Sequence, residues 1–205
     1  MKSVLISINP KWVEKILRGE KTIEVRKTAP KEVPFKAYIY ETKKEHLRVV
    51  FKKGDYIFSD DHNAGKFDEN IFVKDRYSWQ GKVVGEFICD KVYNLVNAFG
   101  GIMFADENLN QLEPQLFRDM SCLTDEQTAD YLGDKDGYGW HISKLKIYDK
   151  PKELSEFRPI CKFEGKDAIC ALFCPNWKYD GGLFFECTRK VTRPPQSWQY
   201  VEELE

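Results

Sequence analysis

The sequence predicts a mixed α+β protein whose body is a small β-barrel carrying short peripheral helices. Three observations lead there: many short stretches alternate apolar and polar residues, few show helical spacing, and no Gly-x-Gly-x-x-Gly follows a strand to suggest a dinucleotide-binding sheet. Many strands joined by irregular segments favour a closed or strongly curved sheet over a doubly wound one.

Ser3–Ile8 alternates, with Val4, Ile6 and Ile8 on one side, the pattern of a strand with one buried face. Asn9 suits a helix cap, and Pro10 suits the first turn because its missing N–H has no intrahelical partner there. Trp12, Val13, Ile16 and Leu17 then form an apolar stripe, and Gly19 ends the helix by accepting a left-handed conformation. Thr22 to Arg26 alternates again, Ile23 and Val25 inward, with Thr22, Glu24 and Arg26 on the opposite face. Further strands are expected over Phe35–Tyr40, Asp55–Phe58, Gly81–Cys89 and Leu145–Tyr148. Pro114 limits where a short helix over Gln111–Met120 begins, whereas Thr124 and Gln127 form a capping box for one that stops near Gly133. Residues 158–192 read as a cysteine- and aromatic-rich late insertion. Residues 193–205 read as a C-terminal strand that completes the barrel, its prolines confined to the entrance.

Composition narrows the function classes. The 205 residues suffice for one sizeable core with insertions, and the 42% hydrophobic content is that of a globular chain. No stretch reaches the roughly 18 apolar residues of a membrane span, and the start meets charge and proline too soon for a secretory signal, so a cytoplasmic location is expected. The formal net charge of −1 excludes a general electrostatic trap for nucleic acid. Yet residues 1–31 carry eight basic side chains against three acidic ones, while residues 106–136 carry nine acidic and two basic. A polyanion would meet a locally positive face, although both segments also fit an ordinary solvated surface.

The most informative cluster is Lys21, Glu24 and Arg26. A lysine at a turn and a Glu-x-Arg pair on one strand face supply two cations for phosphate or a base edge, and a carboxylate for an exocyclic amine. The plain alternative is a set of surface ion pairs. Tyr77, Trp79, Trp140 and Trp198 are candidate stacking surfaces, with His141, Arg193 and Gln196 as polar companions, whereas the stripe position of Trp12 favours packing. Cys161, Cys170, Cys174 and Cys187 are spaced so that four thiolates could hold a structural zinc, set against the commoner reading of unligated thiols.

Residues 7–27 resemble the opening of the ASCH domain, a PUA-like group whose hallmark is approximately Gly-x-Lys-x-x-Glu-x-Arg, here Gly19, Lys21, Glu24 and Arg26. Gly85-Glu86-Phe87 resembles its central strand, and Gly139-Trp140-His141-Ile142 with residues 148–154 resembles its late strand and the segment after it. Residues 193–198 resemble the ending of a phage- and bacteria-associated branch. The resemblance covers about residues 1–157 and 190–205 and implies a PUA-like barrel domain over 1–157 with a cleft near the Gly19 turn. It also raises binding of RNA or a nucleotide-like ligand above generic interaction; with the stacking and polar candidates above, the expected ligand-binding set is Lys21, Glu24, Arg26, Trp140, His141, Arg193 and Gln196, and no cofactor is expected. Some small relatives hydrolyse an N4-acylated cytidine with a lysine and a threonine. Lys21 matches the lysine, but Glu24 stands where the threonine would be, so an amidohydrolase with Lys21 and Glu24 as acid and base is the alternative. A non-catalytic protein-interaction domain is the third reading.

Overall fold

A computed structural model describes residues 1–43, 48–52, 55–59, 71–72, 80–98, 101–161, 176–179 and 185–204. The chain opens with β1 (Ser3–Ile8), α1 (Pro10–Leu17), β2 (Ile23–Arg26) and β3 (Phe35–Glu41). Strands β4 (Arg48–Lys52), β5 (Asp55–Ser59) and β6 (Ile71–Phe72) follow, then β7 (Val83–Cys89), β8 (Val92–Ala98) and β9 (Gly101–Ala105). Helices α2 (Pro114–Ser121) and α3 (Asp125–Leu132) precede β10 (Gly137–His141) and β11 (Ser143–Lys152). The last strands are β12 (Trp177–Tyr179), β13 (Phe185–Cys187) and β14 (Trp198–Val201).

The mixed α+β class holds, but the barrel does not. Among the described residues the strands fall into separate open sheets. One has the order β11-β7-β3-β1-β14, a second β2-β10-β8-β9, and smaller ones β5-β4-β6 and β12-β13. In none does the last strand pair with the first. The reason lies in the two faces of β1. A barrel strand buries one face inside, whereas all six residues of β1 are buried. Val4, Ile6 and Ile8 pack with Phe87, Trp140 and the α1 residues Val13 and Ile16 on one side. Leu5 packs with Tyr38, Phe157 and Val201 on the other. With apolar clusters on both faces, β1 is a central strand of an open sheet. Strand β14 adds antiparallel to β1 in the register Val4↔Tyr200 and forms the sheet's end rather than closing it.

The pairing of β1 with β3 is parallel and therefore needs a crossover. That crossover contains α1 and β2, and β2 leaves the first sheet to become the end strand of the second. There Ile23 and Val25 join Leu95, Phe104, Phe117 and Leu132 in a separate apolar cluster. The two sheets thus meet where β1 ends and β2 begins. The helix between them forms as its sequence dictates: Asn9 accepts from the Lys11 N–H at 3.0 Å, and Gly19 takes φ +74° immediately beyond the Arg18 cap. In α3, Thr124 accepts from the Gln127 N–H while the Gln127 side chain accepts from the Thr124 N–H, both at 3.1 Å. Among the described residues no helix is long and apolar enough to cross a membrane.

The zinc expectation also falls. Among the described residues no group of three or more His, Cys, Asp or Glu side chains is placed to hold a metal ion. Cys170 and Cys174 lie outside the described residues. Cys187 Sγ accepts from Arg189 Nε at 2.9 Å.

Candidate functional site

Lys21, Glu24 and Arg26 converge where the two sheets meet. Lys21 follows the glycine turn, and its backbone N–H donates to the Lys15 carbonyl at 3.1 Å, which directs the side chain inward rather than into solvent. Its Nζ donates to the Ser121 carbonyl at 2.6 Å, at the end of α2. The same ammonium lies 3.5 Å from Glu24 Oε2 and 5.3 Å from the centroid of the Trp12 ring. Arg26 places Nη2 2.9 Å from Glu24 Oε1 and donates to the Ser7 carbonyl at 2.6 Å. Its Nη1 lies 3.5 Å from Ser197 Oγ. One carboxylate therefore stands between two cations, and each cation is anchored on a carbonyl from another element.

The group is buried, with Lys21 2%, Glu24 6% and Arg26 6% exposed, which rules out the plain surface ion-pair reading. Burial lowers the Lys21 pKa from its ordinary value, and the Glu24 carboxylate only partly opposes that. Arg26 Nε is buried and has no hydrogen-bond partner among the described residues. All three side chains line a cleft of about 290 Å³. Its other walls include Ser7, Asn9 and Trp12 from β1 and α1, and Gln127 and Tyr131 from α3.

The remaining expected residues scatter. Trp140 sits opposite Glu24 on β10, yet it is 0% exposed, edge-on to Phe35 at 5.0 Å and to Trp198 at 5.7 Å. It is core. His141 points to the other face, where Nδ1 lies 2.7 Å from Asp90 Oδ1 and the ring meets Tyr93 edge-on. Arg193 and Gln196 are exposed in the segment before β14. That segment does touch the site, since Ser7 Oγ donates to the Pro195 carbonyl at 2.6 Å. Tyr77 and Trp79 lie outside the described residues.

Sequence reasoning missed Ser7, Ser121, Gln127 and Tyr131. Gln127 carried a legible signal as a capping-box residue, but nothing local said that α3 would face β2. Ser121 contributes only its backbone carbonyl, 100 positions along the chain from Lys21, and no side-chain pattern could reveal that.

No family model matches the sequence, and no curated protein matches it. Solved structures do. The crystal structure of an ASCH protein from Zymomonas mobilis is 18% identical, with a TM-score of 0.43, and the alignment covers 98% of this chain and 89% of that one. A single-substitution variant of the same protein aligns at 16% identity and TM-score 0.43, over 99% of this chain and 92% of that one. The likeness extends along nearly the whole chain at low identity, and at this level of superposition it carries no argument about the site.

Proposed function

We propose that the chain binds RNA or a nucleotide-like ligand in the cleft lined by Lys21, Glu24 and Arg26. The observation that carries this reading is the convergence of Lys21, Glu24 and Arg26, two cations on one carboxylate, at the wall of a cleft of about 290 Å³. The guanidinium's planar fork suits phosphate or a base edge, and the ring of Trp12 offers a stacking surface at the same cleft. The resemblance of residues 7–27 to the ASCH opening supports the same class of ligand. Intrinsic tryptophan fluorescence followed during titration with single-stranded RNA and with mononucleotides tests the proposal. Saturable binding that weakens with salt is expected, and a signal that never saturates counts against it.

Hydrolysis of an N4-acylated cytidine is the second reading, favoured by the burial that lowers the Lys21 pKa and so prepares it as an acid–base group. Release of free acid from N4-acetylcytidine, abolished by Lys21→Met, would establish it.

A further inference from the structure

We infer that the cleft reads its ligand's base through the main chain of β2, at Val25, which offers a donor and an acceptor to the Watson–Crick edge of a nucleobase. This rests on the nucleotide-binding reading above and specifies which protein groups meet the base edge.

The inference follows from ladder geometry. In an antiparallel pair, residues alternate between those whose N–H and C=O face the partner strand and those whose groups face away. The Ile142 N–H donates to the Thr22 carbonyl at 2.8 Å, while the Thr22 N–H, ahead of the strand, donates to the Met120 carbonyl; in the register Trp140↔Glu24 and Tyr138↔Arg26 the backbone groups of Glu24 and Arg26 then face β10. On the other side of β10, the His141 N–H donates to the Lys91 carbonyl at 2.9 Å, which fixes the same alternation independently. Val25 must then direct its N–H and C=O away from β10. Among the described residues, β2 is the end strand of its sheet and no further strand receives them.

Val25 nevertheless lines the cleft, although its side chain packs in the apolar cluster with Leu95 and Phe104. What it presents at that edge is backbone. The N–H and C=O of one extended residue lie side by side and match a ring nitrogen next to an exocyclic oxygen or amine, as in each of the common bases. The Arg26 side chain, one residue further on, lines the same cleft and supplies a cation for the phosphate. A peptide adding as a new strand is the competing occupant of such an edge. The volume argues against it: α1 and α3 wall the cleft to about 290 Å³, room for one nucleoside rather than an extended chain advancing about 3.3 Å per residue.

The test is a titration of ¹⁵N-labelled protein with the four 5′-mononucleotides, with the same nucleotides methylated on the Watson–Crick edge, and with ribose 5-phosphate. For the nucleotide that binds, the Val25 amide proton should move downfield, and edge methylation should weaken binding by about tenfold or more. Val25→Pro removes the N–H at an edge position where proline is tolerated, and it should lower affinity for the unmodified nucleotide while leaving the methylated one unchanged. Equal affinity for methylated and unmethylated forms, or equal binding of ribose 5-phosphate, overturns main-chain reading and leaves nucleotide binding standing. Failure of every nucleotide and of single-stranded RNA to bind overturns both. An extended peptide that shifts the Val25 amide when nucleotides do not assigns the edge to strand addition instead.

Discussion

Two buried carboxylates set opposite expectations at the level of single residues. Glu24 is held between Lys21 and Arg26, so removing it leaves two cations facing each other out of water. Glu24→Ala should therefore lower the unfolding free energy by about 3–5 kcal/mol in urea denaturation, the usual cost of orphaning a buried charge. Lys21→Met should cost less, because Arg26 still pairs with the carboxylate and methionine fills the lysine's volume. Glu41 is the contrasting case: 4% exposed, with Oε2 unpartnered, its pKa is pushed up by burial to about 7. A raised carboxyl pKa means that the folded state holds a proton the unfolded state has lost, so stability falls as pH rises from 4.5 to about 7. Glu41→Gln should remove that slope and stabilise the protein above neutrality, by on the order of 2–3 kcal/mol. For Lys21 the sign reverses. Its folded pKa lies below 10.5, so between the two values the unfolded state binds more protons and stability rises with pH. The difference in stability between the wild type and Lys21→Met, measured upward from neutrality, should show that rise. The types of the three site residues and their sharing of a turn and a strand face were legible in the sequence. Their burial was not, because it depends on carbonyls supplied by Ser7 and Ser121 from remote elements.

The elements were legible where a local rule fixes them. The Asn9 cap, the Gly19 stop and the Thr124–Gln127 capping box all depend on contacts within four residues, and all stand in the structure. Strands β8 and β9 escaped because Val92–Ala98 mixes polar and apolar residues without clean alternation, and its strand state comes from pairing with β10 and β9. Trp140 was offered as a stacking surface because sequence spacing cannot show that β10 turns that side chain toward α1 and β1 rather than toward solvent. Since α3 carries Gln127 and Tyr131 to the cleft, its cap also bears on the site. Thr124→Ala should cost about 1 kcal/mol in stability and weaken ligand binding with it, measured by thermal unfolding and by titration. Gly85 is a tighter constraint, because a Cβ there would lie 2.6 Å from the Lys146 carbonyl oxygen on β11. Gly85→Ala should pry β7 from β11 and lower the melting temperature, whereas an alanine at exposed Gly101, where nothing lies within 4 Å, should not.

At the scale of the whole molecule, alternation suggested strands correctly but said nothing about which sheets they join. A barrel and a pair of open sheets produce similar period-two patterns. They differ in whether a strand buries one face or two, and Ser3–Ile8, with apolar Val4, Leu5, Ile6 and Ile8, already leaned toward two. The departure of β2 from the first sheet creates the site. It frees one strand edge, brings Arg26 against the end of β1, and opens a cleft that neither sheet would hold alone. Binding is therefore expected to tie the sheets together, and amide exchange in both β1 and β2 should slow when the ligand is present. The most direct test of this account is the affinity of Arg26→Lys for single-stranded RNA or the nucleotide it prefers, compared with wild type after circular dichroism has shown both folded. Lysine keeps the charge but loses Nε and the planar fork, so the account predicts affinity weaker by about tenfold or more. Undiminished affinity in a folded Arg26→Lys protein would contradict it.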